Sequence, residues 1–274
     1  MTTLLAHLTD LHIREPGKLA YGRIDTAAHL KTAVQSVLRL PQQPHAVVLS
    51  GDLVDFGRVD EYAHLRELLR PLQMPLYLLP GNHDSREQLR TSFPEHTYLG
   101  TDGFVQYVVK VGDLRLIALD TVTPNEPFGA LCKQRLDWLA VQLKACAHEP
   151  VVIAMHHPPF ATLIGHMDAI GLREGTDELE ALVAQYPNVQ RILCGHLHRA
   201  IEVRFGGTIA CTTPSPAHQV CLNFDPQAQS AWALEPPAFR LLALPDDQRV
   251  VSHLVPCGVF DGPHPFHDAA GLID

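Results

Sequence analysis

Leu4-Leu5-Ala6-His7-Leu8-Thr9-Asp10-Leu11-His12 decides the fold. It is an apolar run of strand length that ends directly in Asp10 and His12. Four later segments repeat the same order of strand and then polar motif. Ala46–Leu49 leads to Gly51-Asp52, and Leu76–Leu79 to Gly81-Asn82-His83-Asp84. Val151–Met155 leads to His156-His157, and Val189–Leu193 to Gly195-His196-Leu197-His198. Proteins that alternate strands with helices place their ligand sites just beyond strand ends.

Helical patterns lie between these strands. Asp25 is a good N-cap for a helix with Leu30, Val34, Val37 and Leu38 on one face. Asp60 is expected to cap a second helix, with Leu65, Leu68 and Leu69 inward. A third runs over Lys133–Ala145 with Leu136, Leu139 and Leu143 on one stripe, and a fourth begins near Thr176. Leu114–Leu119 is a further strand. From residue 200 the pattern becomes strands without helices: Ile201–Phe205, Thr208–Thr213, Gln219–Phe224, Phe239–Leu244 and Val250–Val255. Phe205-Gly206-Gly207-Thr208 reads as a hairpin turn. The class is α/β, with one domain over 1–257 and a Pro-, Gly- and His-rich arm over 258–274.

Composition narrows the function. At 274 residues, 46% hydrophobic and 19% charged, the chain has the make-up of an ordinary globular protein with a large core. The net charge of -9 argues against a nucleic-acid partner, because binding to that backbone rests on Lys and Arg. No apolar run is long enough to span a bilayer, and the start lacks a basic segment and a small-residue cleavage site. None of the six cysteines forms a CxxC pair. These features predict a cytoplasmic protein without a membrane partner. Seventeen histidines are the anomaly.

Asp10, His12, Asp52, Asn82, His156, His196 and His198 make seven side chains able to bind metal. Imidazole mixed with carboxylate suits Zn, Fe, Mn or Co rather than Mg or Ca. If Asp52 bridges, each of two divalent ions receives four protein ligands, and a bridging hydroxide makes a fifth. Two such ions and two Asp leave a net charge of two plus. Hydroxide and a phosphodiester monoanion then bring it to zero. In Asp10/His12 and His196/His198 the spacing of two would put both side chains on one side of an extended segment. Glycines before Asp52, Asn82 and His196 would let the chain turn sharply out of the strand. Any one of these motifs is commonplace; five in order, each after a strand, point to a metal site.

In that order, DxH, GD, GNHD, HH and GHxH resemble the calcineurin-like metallophosphoesterase superfamily. The resemblance implies a two-sheet sandwich flanked by helices. It also implies a dinuclear centre with Asp10, His12, Asp52 and His198 on one ion and Asp52, Asn82, His156 and His196 on the other. Leu8–His12, Gly51–Asp55 and His156–Pro159 are similar to the bacterial class III cyclic-nucleotide phosphodiesterase group. Leu19–Asp25, Met167–Ile170 and Ala217–Val220 look most like its glycerophosphodiesterase branch. Members of the group form dimers or larger assemblies, which implies a homo-oligomer here.

The expected activity is hydrolysis of small phosphodiesters such as glycerophosphodiesters, by in-line attack of a metal-bridging hydroxide. His83, beside Asn82, is the candidate acid for the leaving alkoxide, and Asp52 carries the bridging role. Asn82, His83 and His218 are candidate substrate contacts, with Met167 and Asp168 near the pocket. Asp84 is expected to orient His83 or cap the next helix, and His157 to give structural support. Cyclic AMP is the alternative diester, although no aromatic cluster flanks the metal motifs and only Tyr21 and Phe160 lie near. A broad phosphomonoesterase would want cationic clamps, for which Arg14 and Arg199 are placed in sequence. A binding scaffold with a decayed site would have lost ligands, and none is lost.

Overall fold

The apolar runs condense into two large sheets. The structure, a computed structural model, describes residues 2–246, 249–269 and 271–273. In chain order the first elements are β1 (Thr3–Leu8), α1 (Thr26–Leu38), β2 (Ala46–Ser50), α2 (Val59–Leu69), β3 (Leu76–Leu79) and α3 (Arg86–Ser92). Next come β4 (Tyr107–Val111), β5 (Leu114–Ala118), β6 (Gly129–Ala130), α4 (Lys133–Ala145), β7 (Val151–Ala154), α5 (Gly165–Asp168), β8 (Leu172–Glu174) and α6 (Thr176–Val183). The rest is β9 (Val189–Cys194), β10 (Ile201–Phe205), β11 (Thr208–Thr212), β12 (Gln219–Val220), β13 (Trp232–Ala233), β14 (Ala238–Leu244), β15 (Val251–Pro256), β16 (His267–Asp268) and β17 (Gly271–Leu272).

One sheet has the order β15-β14-β1-β2-β3 and the other β10-β11-β9-β7-β5-β4. Strands β1, β2 and β3 are parallel to one another, as are β5, β7, β9 and β11. Alternation along the second sheet shows how the layers stack. Leu116, Ala118, Val152, Ala154 and Leu193 share a core with Leu5, Leu8 and Leu49 of the first sheet. Their neighbours Ile117, Ile153 and Ile192 face the other way, onto Leu139 and Leu143 of α4 and Leu179 and Val183 of α6. Helices α1 to α3 pack on the first sheet through Leu30, Val34, Leu65, Leu69 and Leu89. The expected helix, sheet, sheet, helix sandwich is the architecture found, with the parallel strands of both sheets delivering their C-terminal ends to one edge.

Several local readings change. Helix α2 begins two residues earlier than expected, with Arg58 at its N-cap. Glu61, not Asp60, satisfies the free amides there, accepting from Phe56 N at 2.9 Å and Arg58 N at 3.1 Å. The strand expected over Gln219–Phe224 is only Gln219–Val220, after which Leu222 and Phe224 are exposed. Strand β4 is not among the expected strands, and the helix expected after Asp84 is the short α3, in which only Leu89 is buried. The hairpin turn is as expected: Phe205 pairs with Thr208, and Gly206 and Gly207 have φ of 54° and 83°. Beyond buried Cys257 the arm is exposed and forms a small hairpin from β16 and β17. Among the described residues no helix is long and apolar enough to cross a membrane.

Candidate metal centre

All seven proposed ligands converge where the two sheets meet. An extended backbone is not what sets the paired residues side by side. Asp10 and His12 have φ of 55° and 46°, and His196 and His198 of 70° and 53°, so neither pair lies on an extended segment. Asp52, at φ 47°, is a further left-handed residue. Side chains other than glycine pay roughly 1–3 kcal/mol for such backbone, and clusters of it mark functional sites. The strain is held by cross-links between loops: Asp10 N donates to Gly51 O at 3.0 Å and His12 N to Asp52 O at 2.9 Å. His196 N donates to the Asp10 carboxylate at 2.8 Å.

The glycines also act differently from expectation. Only Gly51 is left-handed, at φ 98°. Gly81 and Gly195 are needed for room, since a Cβ there would run into Asp52 and Thr9 respectively.

Hydrogen bonds fix the tautomers. His12 Nδ1 donates to Asp55 Oδ1 at 3.1 Å, His156 Nδ1 to Ser50 O at 2.9 Å, and His198 Nδ1 to His218 O at 2.9 Å. Each therefore turns a bare Nε2 to the centre. His196 Nε2 is buried with no partner among the described residues. His12 Nε2 and His198 Nε2 stand 3.2 Å apart, and His156 Nε2 lies 3.1 Å from Asn82 Oδ1. Such pairs of acceptors repel unless positive charge lies between them. Two nitrogens on one tetrahedral zinc-like ion, each at about 2.0–2.1 Å, would stand about 3.3 Å apart. His156 Nε2 to Asp52 Oδ2 is 3.3 Å, and His12 Nε2 to the same oxygen is 3.6 Å. The donor set fits divalent metal.

Electrostatics agree. Burial pushes Asp10 up to about 6. At His156, burial is outweighed by the charges of Asp52 and Asp10, which raise it to about 9. Burial, then neighbouring histidine charge, lowers His196 to about 3 and His198 well below its usual value. The buried carboxylates thus draw positive charge to the centre, onto His156 when nothing else supplies it, while His196 and His198 are held neutral, the form a metal ligand needs.

The neighbouring residues divide clearly. His157 is a structural residue: its Nε2 donates to Pro127 O at 3.2 Å and its Nδ1 accepts from Thr121 Oγ1 at 2.8 Å, so no lone pair is left for a metal. Asp84 neither orients His83 nor caps α3, whose cap is Ser85. Its carboxylate instead accepts from Gly81 N, Leu53 N, Val54 N and Tyr62 Oη at 2.8, 3.1, 3.3 and 2.9 Å. That ties the loop after β2 to the loop after β3. Asp55, which the ligand count passed over although it closes Gly51-Asp52-Leu53-Val54-Asp55, is the residue that holds His12. His83 donates from Nδ1 to Asp55 O at 2.8 Å, leaving Nε2 for the cavity.

A cavity of about 430 Å³ opens over the centre, lined by His12, Asp52, Asn82, His83, His196, His198 and His218 among others. Met167 reaches it, whereas Asp168 is turned away to accept from Thr162 and Leu163. Trp232 arrives from β13 and stacks on Tyr21 at 6.0 Å, with His218 against the Tyr21 ring at 5.3 Å. An aromatic cluster therefore does flank the site, contrary to the sequence reading; Phe160 is not part of it. Among the described residues no Lys or Arg lines the cavity. Arg14 bonds Asp55 and Glu15, and Arg199 bonds Glu235 and Val220 O.

The model of the calcineurin-like phosphoesterase family matches residues 3–200. This chain belongs to that family. A Probable glycerophosphodiester phosphodiesterase GpdQ from Arcobacter nitrofigilis is 33% identical over 272 residues, covering 99% of this chain and all of that one. The Glycerophosphodiester phosphodiesterase GpdQ of Enterobacter lignolyticus is 36% identical over 79% of this chain and 78% of its own. The 3',5'-cyclic adenosine monophosphate phosphodiesterase CpdA of Pseudomonas aeruginosa is 31% identical over 91% and 88%. Among solved structures, purple acid phosphatase PPD1 from yellow lupin superposes with a TM-score of 0.68 at 14% identity, over 95% of this chain and 53% of that one. That likeness is one of fold. As a calcineurin-like phosphoesterase with phosphodiesterase relatives, the protein is a metal-dependent phosphodiesterase.

Proposed function

We propose that this phosphodiesterase hydrolyses small glycerophosphodiesters at a two-ion centre. Asp10, His12, Asp52 and His198 would hold one ion, and Asp52, Asn82, His156 and His196 the other, from the set Mn, Fe, Zn or Co. When bound, such ions lower the pKa of water and neutralise phosphoryl charge. The rest falls to the chain's own groups. His83, whose Nδ1–H is held by the Asp55 carbonyl, would act as the imidazolium, presenting Nε2–H to the leaving alkoxide and giving it that proton or a hydrogen bond, which leaves the ring neutral. Asn82 and His218 border the phosphate and the departing alcohol.

The observation that carries the diester over the monoester is the absence of Lys and Arg from the cavity lining among the described residues. A dianionic monoester would want a guanidinium clamp, and both nearby arginines are bound elsewhere. A second reading, cyclic AMP, is favoured by the Tyr21 and Trp232 rings. The deciding experiment compares kcat/KM for a glycerophosphodiester, cyclic AMP and a simple monoester on chelator-stripped and metal-reloaded protein. Full activity without metal, or preference for the monoester, would sink the proposal.

The reading includes a cytoplasmic protein, with which six free cysteines are consistent. It includes a body of 1–257 and self-association through the 258–274 arm. Val259, Phe260, Phe266 and Leu272 there are 83%, 64%, 80% and 69% exposed. Deleting the arm should lower the mass in solution.

A further inference from the structure

We propose that Tyr21, Trp232 and His218 form a subsite for the second alcohol of the diester, and that it selects a methylated ammonium headgroup of the choline type. The proposal rests on the phosphodiesterase reading above and deepens it.

The subsite is assembled from three distant segments. Tyr21 sits at φ 51° on a turn closed by the Ala20 and Ile24 bridge. Trp232 is set by its strand pairing with Val220. His218 lies between them and the centre, 5.3 Å from Tyr21, 6.2 Å from Trp232 and 4.6 Å from His198, ring to ring. Tyr21 and Trp232 are nearly parallel, at 21°. This wall stands beside the ligands, about where the ester substituent of a bound phosphate must lie. Pro127, Met167 and Ile170 also line the cavity.

Chemistry narrows what such a wall accepts. A carboxylate headgroup would want a cation, and none lines the cavity among the described residues. A polyol or a primary ammonium carries donors that leave water only at a cost unless acceptors replace it. Apart from the centre's own ligands and His83, the side-chain partners in the lining are His218, Ser230, the Tyr21 hydroxyl and the Trp232 N–H, and among the described residues none of these is a carboxylate that would favour a primary ammonium. A nucleobase could stack here, but its edge would lose the same hydrogen bonds. A trimethylammonium group has no N–H to lose, and its positive charge is drawn to aromatic faces, tryptophan most of all.

The test measures kcat/KM of the metal-loaded enzyme for glycerophosphocholine, glycerophosphoethanolamine, glycerophosphoglycerol and cyclic AMP. Glycerophosphocholine should lead glycerophosphoethanolamine by about 5- to 30-fold, the range of one or two good cation–π contacts. Trp232→Leu should erase that ratio and Trp232→Phe should keep part of it, which separates a ring effect from mere packing. A second readout is direct binding. Trp138 is the other of the two tryptophans, so in a Trp138→Phe background phosphocholine should quench Trp232 emission while glycerol 3-phosphate should not. Equal rates for the choline and ethanolamine diesters, a ratio that survives Trp232→Leu, or a lead for cyclic AMP would each overturn the subsite alone. Failure to turn over any of the four would remove the phosphodiesterase reading, and the subsite with it.

Discussion

Asp84→Asn is a nearly isosteric change that should destabilise the protein markedly. The native carboxylate accepts from Val54 N and Tyr62 Oη on Oδ1, and from Leu53 N and Gly81 N on Oδ2. An amide can place its NH₂ on only one side. On the Oδ2 side it would face two backbone N–H donors. On the Oδ1 side it strands Val54 N, but Tyr62 can accept from the amide and turn its own hydrogen to Ser85 O, 3.4 Å away. The second arrangement costs less. One buried donor left unpaired costs about 1–3 kcal/mol, and the remaining bonds lose their charge, for roughly 2–4 kcal/mol in all. Asp84→Ala would strand all four donors and threaten folding outright, so asparagine is the informative change. The assay is urea unfolding at pH 8. There the carboxyl, pushed up to about 6 by burial and the Asp52 charge, is ionised. The same sample should hold metal less tightly, because the loops carrying Asp52 and Asn82 are no longer tied. A loss under 0.5 kcal/mol with metal content unchanged would refute the reasoning, since it would mean that those donors find other partners.

Further outcomes follow from the same geometry. Asn82→Ala should weaken one ion more than the other, because a neutral amide is replaced at one proposed position only; metal analysis showing equal loss of both would contradict the division of ligands. His83→Ala should slow a glycerophosphodiester by about 10²–10⁴-fold and a nitrophenyl diester far less, since only the poor alkoxide leaving group needs an acid. An equal effect on the two substrates would leave His83 with a positioning role. His7, buried against Ser50 and Thr213, is lowered by burial and then by Arg240 to about 3. Its contribution is complete above the unfolded value near 6.5 and is lost as pH falls from there toward 3, at up to about 1.4 kcal/mol per pH unit. His7→Gln should flatten the stability profile between pH 6 and 4, and an unchanged slope would show that other groups set it.

Much of the molecule is legible in its residues, for physical reasons. The β1, β2 and β7 strands are buried on both faces, so they read as largely apolar runs. Asp10 and His12 could be found because they stop such a run abruptly. Their left-handed backbone could not, because φ at those positions is imposed by bonds to Gly51 and Asp52 across the sheet rather than by Leu11 or Thr9. Trp232 was invisible for a related reason. It lies in a stretch with little strand signal, and only the pairing with Val220 carries it to Tyr21. Asp84 looked like a cap from its place before α3, yet in space four donors from two other segments outcompete that role.

The placement of the centre on the seam between the sheets has a mechanical consequence. Asp10, His12, Asp52 and Asn82 hang from the first sheet, while His156, His196 and His198 hang from the second. Each proposed ion would therefore be clasped from both halves of the sandwich at once, like a rivet through two plates. Prising the sheets apart then means surrendering metal, so the free energy of ion binding adds to the adhesion between the layers in proportion to the logarithm of free metal. A cell that starves this enzyme of metal would also loosen its hold on its own fold, beginning at the edge where catalysis takes place.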